Sequence, residues 1–152
     1  GYDNGPPTAE GRRIWKMLAL FQATYIGAPM IYYGTEVGMW SADDPEDRMP
    51  TWWHRMDVSI PDSYQTVLQL RHKHPALRRG DLTVLASRDD AQVFAFERRL
   101  NGERLVIVLN RGSGDATLGA DYLDGLTLIY ATDPAATSQR IPKLSGAVFG
   151  ID

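Results

Sequence analysis

Cysteine is absent from this 152-residue chain. Its absence excludes a disulfide framework and a thiolate zinc site, but it is compatible with every redox compartment, so localisation stays open. Charge of one sign is lacking too: 16 basic against 19 acidic residues leave a formal net charge of −3. That balance offers no electrostatic footprint for a nucleic acid or an anionic membrane surface, so neither is expected as a partner. Histidine is scarce, and His72 and His74 point to different faces of a helix with no Cys or carboxylate cluster beside them. With His54 they are expected as surface residues, and no metal site is expected. The one long uncharged stretch, 17–35, approaches the about 20 residues of a bilayer span. It contains polar Gln22 and Thr24, and Gly27-Ala28-Pro29 stops a helix midway, so a membrane helix is not expected. No initiator Met and no basic-then-apolar leader stand at Gly1, which points to a start cut from a longer chain.

What is present is the composition of a folded globular chain, with room for one ordinary domain or two small ones. Thr8 can cap a helix carrying Glu10 in its first turn, and apolar residues recur at Ile14, Met17, Leu18, Phe21 and Tyr25. Trp15, Ala19, Leu20 and Ala23 make its other faces apolar, so this helix must be covered on more than one side. After Gly27, Pro29-Met30-Ile31-Tyr32-Tyr33 is a short apolar run closed by Gly34, the pattern of a fully buried, parallel-type strand. Residues 35–60 form a long irregular stretch, and loops of that length in compact proteins are usually functional. Pro61-Asp62-Ser63 opens a second helix that ends near His74-Pro75.

The character changes at Gly80. Period-2 runs follow at 82–86, 93–98, 104–110, 126–130 and 147–151, with Asn101-Gly102 a two-residue hairpin signal and Asp89-Asp90 marking another tight connection. Phe94, Phe96, Tyr122, Tyr130 and Phe149 are best used as core, and this half has no Trp. The chain thus reads as an α-β-α piece to about residue 79 joined to a small antiparallel sandwich. One parallel-type strand cannot make a sheet, so the first half reads as a fragment.

The segment from Gly27 to Met39, GAPMIYYGTEVGM, resembles the region around the eighth barrel strand of α-amylase-family glycoside hydrolases. The likeness continues through Asp44-Pro45-Glu46-Asp47-Arg48-Met49-Pro50 with Trp52, through Leu70-Arg71-His72-Lys73-His74-Pro75-Ala76-Leu77-Arg78, and into Val93-Phe94-Ala95-Phe96 and Val108-Leu109-Asn110. The Asp-Pro-x-x-Arg loop is similar to that of the neopullulanase, cyclomaltodextrinase and maltogenic amylase branch. Asp47 and Thr51 depart from residues common there, so substrate preference is not carried over.

The resemblance implies an α/β fragment, the last strand and flanking helices of a TIM-type (β/α)8 barrel over 1–79, followed by an all-β antiparallel sandwich over 80–152. Active sites of such barrels lie at the strand C-terminal ends, so Tyr33 to Trp53 would face the site. Asp44 and Arg48 are the matched residues of a substrate-contacting loop, joined by Trp40 and Trp52. An Arg fork and a carboxylate suit sugar hydroxyls, and Trp40, Trp52 and Trp53 offer flat faces to sugar rings. The same residues also suit structure, with Asp44 pairing Arg48 to fix the loop and each Trp packing. Glu36 directly follows the strand, and the family carries an acid there as a buried ionic or hydrogen-bonding partner, which implies a structural role. The family's retaining chemistry needs two carboxylates about 5 Å apart, implied to lie upstream; Asp3 lacks the Asn-His that precedes the last family acid. No catalytic residue is therefore expected in this chain.

No cofactor is expected either. Asp43, Asp44, Glu46 and Asp47 lack the ordered spacing and glycine of a calcium loop, and calcium stays open only for the longer parent. Arg78-Arg79 and Arg98-Arg99 are too short for a nucleic-acid patch and are expected to solvate helix and strand ends. The implied function is hydrolysis or transglycosylation of α-linked glucans by the parent, with an α-glucan or maltooligosaccharide as substrate partner. Alternatives are a non-catalytic structural or carbohydrate-binding module, or an isomerase, phosphorylase or inactive relative. Barrel-facing apolar surface over 8–40 predicts self-association of the isolated chain.

Overall fold

The computed structural model describes residues 5–40, 49–51, 53 and 59–151. Helix α1 (Ala9–Thr24) starts where Thr8 Oγ1 accepts from the Gly11 amide at 3.0 Å, which satisfies one of the first-turn N–H groups that a helix leaves open. Helix α2 (Ser59–Lys73) has Asp62 in its first turn and Arg71, His72 and Lys73 in its last, matching the macrodipole at both ends. Pro75 cannot continue that helix and instead opens the short α3 (Pro75–Arg79).

Five strands follow: β1 (Asp81–Arg88), β2 (Val93–Leu100), β3 (Glu103–Asn110), β4 (Thr127–Ala131) and β5 (Ser145–Gly150). They form one antiparallel sheet in the order β1-β2-β3-β5-β4. The β2–β3 hairpin turns at Asn101 and Gly102, both with positive φ (49° and 89°), the conformation the Asn-Gly pair is suited to.

The strand alternation sends side chains to two cores. On one face Phe96, Leu105, Ile107, Leu109 and Val148 pack with Met17, Leu20, Ile60, Val67 and Leu77 of the helices. On the other, Ala95, Val106, Val108, Ala147 and Phe149 pack with Leu118, Leu123 and Ile141 from the chain around β4. The close approach of α1 is permitted at Gly146, where a Cβ would stand 2.8 Å from Leu109 Cδ2 and 2.9 Å from Leu20 Cδ2. A second sheet does not close this domain among the described residues; the expected sandwich is a single sheet with helices on one face and the stretches 111–126 and 132–144 that flank β4 on the other.

Two further expectations change. Pro29–Tyr33 forms no strand, and Met30 (76% exposed) and Tyr32 (63%) point outward. An extended segment becomes a strand only against a neighbour, and none runs beside it among the described residues. Arg98, expected to solvate a strand end, is 1% exposed, and His74, expected at the surface, is 8% exposed. Arg98 follows Phe94 and Phe96 on the helix-facing side of β2, so the period-2 pattern that placed the phenylalanines inward also placed the guanidinium there. Among the described residues no helix is long and apolar enough to cross a membrane.

Candidate functional site

The segment expected to face substrate begins where α1 ends. Tyr25 caps the helix through its amide to Phe21 O, and Gly27 turns the chain at φ 98°. Gln22 Nε2 donates to the Met30 carbonyl, and Ile31 packs against the helix-side core. Gly34 and Gly38, both left-handed (φ 85° and 72°), bracket a single 3-10 turn, Thr35–Val37. Gly34 is required twice over: its φ suits glycine, and a Cβ would meet Met39 Sδ at 2.5 Å. The Met39 amide closes back on Gly34 O at 2.9 Å, so 34–39 is a compact knot that delivers Trp40 to the start of the loop.

Across that loop, Tyr33 Oη donates to Met49 O at 3.1 Å, joining its two flanks, and the Tyr32 and Tyr33 rings stand 5.1 Å apart. Trp40 is half-buried and bonded to its surroundings, whereas Trp53 is 74% exposed. Trp53 thus has the open face that stacking on a sugar ring needs. Asp44, Arg48 and Trp52 lie outside the described residues, as do Asp3, His54 and the Asp43 to Asp47 cluster.

Glu36 sits half-buried on the 3-10 turn against α2, and its Oε2 is buried without a hydrogen-bond partner among the described residues. Its charge reaches Tyr64: burial first, then Glu36, push the Tyr64 phenol above its ordinary range, while a hydrogen bond with Trp15 opposes them. No described group of three or more His, Cys, Asp or Glu gathers as a metal site.

Sequence reasoning missed two arginines. Arg71 donates to Ala23 O (2.8 Å), Leu77 O (2.7 Å) and Gly27 O (2.5 Å), and Arg98 to Thr24 O (2.7 Å) and Gly80 O (2.9 Å). Burial, and then the neighbouring Arg71, lower the pKa of Arg98; burial, and then Arg78, lower that of Arg71. These guanidiniums answer the carbonyls that the C-terminal turn of α1 leaves open. Arg71 lies within a segment already noted for its family likeness, and only its helix-end position signalled this task.

His74 Nδ1 is 2.7 Å from Glu103 Oε1, while the Ala76 amide donates to Glu103 Oε2 at 2.7 Å, so His74 pins the α2–α3 corner to β3. In the β region Phe96 and Phe149 are buried, and Phe94 and Tyr130 pack against the helix-side core. Those rings are committed to packing, whereas Tyr122, also expected in the core, is 39% exposed because it lies on the short 3-10 turn outside the sheet.

No family model matches the chain. Among curated proteins it is 34% identical over 123 residues to neopullulanase 2 of Thermoactinomyces vulgaris, covering 74% of this chain and 21% of that protein. It is 36% identical over 109 residues to a cyclomaltodextrinase of a Bacillus species, covering 70% and 20%. The chain therefore spans about a fifth of the length of these relatives. Among solved structures, the debranching enzyme of Nostoc punctiforme in its native form superposes with a TM-score of 0.79 at 30% identity, covering 97% of this chain and 33% of that one. The α-amylase of Geobacillus thermoleovorans, complexed with acarbose, gives 0.72 at 27% identity, covering 91% and 33%. The antiparallel sheet domain with its few helices matches the C-terminal region of such enzymes.

Proposed function

We propose, from the premise that this chain belongs to the α-amylase family of glycoside hydrolases as part of its C-terminal region, that it completes an enzyme acting on α-glucosidic bonds of α-glucans and maltooligosaccharides. Its share of the work is one wall of the substrate cleft, built on 33–53, and the β domain that supports it. Residues 1–79 are assigned to the end of the catalytic barrel and 80–152 to the C-terminal β domain. Supporting this division, Leu18, Ile26, Met30, Tyr32 and Tyr33 are exposed on the first part, as surface meant to be covered by preceding barrel elements. The observation that carries the reading is the 34–36% identity to a neopullulanase and a cyclomaltodextrinase over 74% and 70% of this chain.

In this reading Asp44 and Arg48 hydrogen-bond sugar hydroxyls, and Trp40 and Trp52 supply apolar faces. Chemistry follows the retaining course, with a carboxylate nucleophile and a carboxylic acid/base contributed from outside this chain. The isolated chain is accordingly inactive. The test compares maltooligosaccharide and pullulan hydrolysis by this chain and by its full-length parent, with Asp44→Ala and Arg48→Ala made in the parent. Activity in the parent alone, with KM raised in both variants and kcat less affected, is the expected result. Turnover by the isolated chain would overturn the assignment of the carboxylates.

A further inference from the structure

The last turn of α1 leaves carbonyls without helical partners, and two arginines from different elements divide them. Arg98, from β2, takes Thr24 O and Gly80 O, both on core elements. Arg71, from α2, takes Ala23 O and Leu77 O, but it also reaches past the helix to Gly27 O at 2.5 Å and to Tyr25 O at 3.4 Å. Among the described residues its hydrogen-bond partners are all backbone carbonyls, so the guanidinium works as a fork of donors that fixes chain direction, and not as half of an ion pair.

Direction matters at this point because Gly27, at φ 98°, is where the chain leaves the helix. Few ties follow. Met30 O is held by Gln22, Ile31 rests on the core, and Tyr33 Oη meets Met49 O across the loop. Met30 and Tyr32 are exposed and contribute little grip of their own. The tether at Gly27 is therefore the first in a short series that aims 28–40 at the substrate side, and it comes from α2, which also meets the 3-10 turn at Glu36 through Tyr64.

We infer that Arg71 is a positioning residue for the glucan-processing reaction: by holding the Gly27 carbonyl it sets the course of residues 27–40 and so the placement of Trp40 and Tyr33 against substrate. This rests on the function proposed above. Lys at this position keeps the charge but gathers its donors at one point, so it cannot serve carbonyls spread over α1, the Gly27 turn and α3 together. Arg98 provides the internal contrast, since its loss loosens the same junction without freeing Gly27.

The experiment uses the full-length parent with Arg71→Met, Arg71→Lys and Arg98→Lys. Steady-state kinetics on maltooligosaccharides are read together with thermal midpoint and hydrogen–deuterium exchange over 27–40. Arg71→Met is expected to raise KM about tenfold, the equivalent of ~1.4 kcal/mol, with kcat within about twofold, which is the pattern of lost uniform binding. Arg71→Lys should fall between wild type and Arg71→Met, and exchange over 27–33 should quicken in both. Arg98→Lys should lower the thermal midpoint and leave KM unchanged. An unchanged KM in both Arg71 variants, or an equal rise of KM in Arg98→Lys, would overturn the inference. Should Arg71→Met fail to fold, Arg71→Lys decides by the same criteria. Should the wild-type parent not turn over α-glucans, the functional reading fails by itself; Arg71 is then judged by exchange, and equal protection over 27–33 in wild type and Arg71→Lys would end its positioning role.

Discussion

The helical region, 5–79, and the β region, 80–151, draw on similar proportions of apolar residues and use them differently. In the β region each strand has a neighbour, apolar clusters pack on both sheet faces, and β5, between β3 and β4, is buried along its whole length. In the helical region one face of α1 is committed to the sheet through Met17, Leu20 and Ala23, while Leu18, Ile26, Met30, Tyr32 and Tyr33 lie open. A groove of about 490 Å³ runs along that open side between Leu18, Phe21 and Phe94, and a second of similar size continues past Tyr25 to Met30. One region finds its partners within the chain. In the other, the apolar run 29–33 has no strand beside it among the described residues, so similar apolar patterning yields a sheet in one place and an exposed extended segment in the other.

The comparison can be broken at its strongest point by Phe96→Ala. Phe96 is fully buried where α1 and α3 meet the sheet and contacts the Tyr25 ring edge-on at 5.5 Å. The substitution should cost about 3–5 kcal/mol, read as a shifted midpoint in urea with an unchanged slope. A loss under about 1 kcal/mol, within the range of ordinary surface changes, would mean that the two regions are not joined by a common core.

The next effect is electrostatic and confined to the β region. Hydrogen bonding from Arg99 holds the Glu97 carboxyl below its ordinary range against burial, and Arg104 reinforces it. A depressed folded-state pKa means stability that is present above the unfolded value of about 4.3 and is lost as pH falls through the folded value. Glu97→Gln should flatten the acid limb of the stability profile below about pH 4.3 and also lower the plateau above it. An unchanged acid limb would show that these pairs are screened out, as exposed ones commonly are; Arg99 is largely open to solvent.

The smallest effect on stability carries the sharpest contrast. Leu18→Ser with Met30→Ser should change the stability of the isolated chain by no more than about 0.5 kcal/mol per site, because both side chains are exposed. Sedimentation should nevertheless show the wild-type chain self-associating and the double variant shifted toward monomer. A wild-type chain that stays monomeric at high concentration would remove self-association through 8–40 from the reading.

Local signals were readable wherever the physics is local. Thr8 announced the start of α1, Asn101-Gly102 the hairpin, and the alternation of Val93 to Asn110 the two central strands with their inward phenylalanines. The residues around Gly34 marked the turn into the long loop, and with the later motifs they carried the family likeness. Asp44, Arg48 and Trp52 were chosen by likeness and fall outside the described residues. Trp40 is placed at the mouth of the loop, but its part in binding is chemistry still to be measured. The charged interior was illegible by composition, because Arg98 and His74 look like surface residues until their faces are counted and their partners, Thr24 O and Glu103, are brought across 74 and 29 residues of chain.

The sequence by itself determined the start of α1, the β2–β3 hairpin and the family, because caps, turn residues, periodicity and contiguous motifs act over a few residues. Tertiary structure alone decided that β5 enters the sheet between β3 and β4, that two arginines serve the end of α1, and that 29–33 is left without strand partners. Those outcomes depend on which distant backbone groups are available to pair. A strand or a buried guanidinium exists only when another part of the chain comes to meet it.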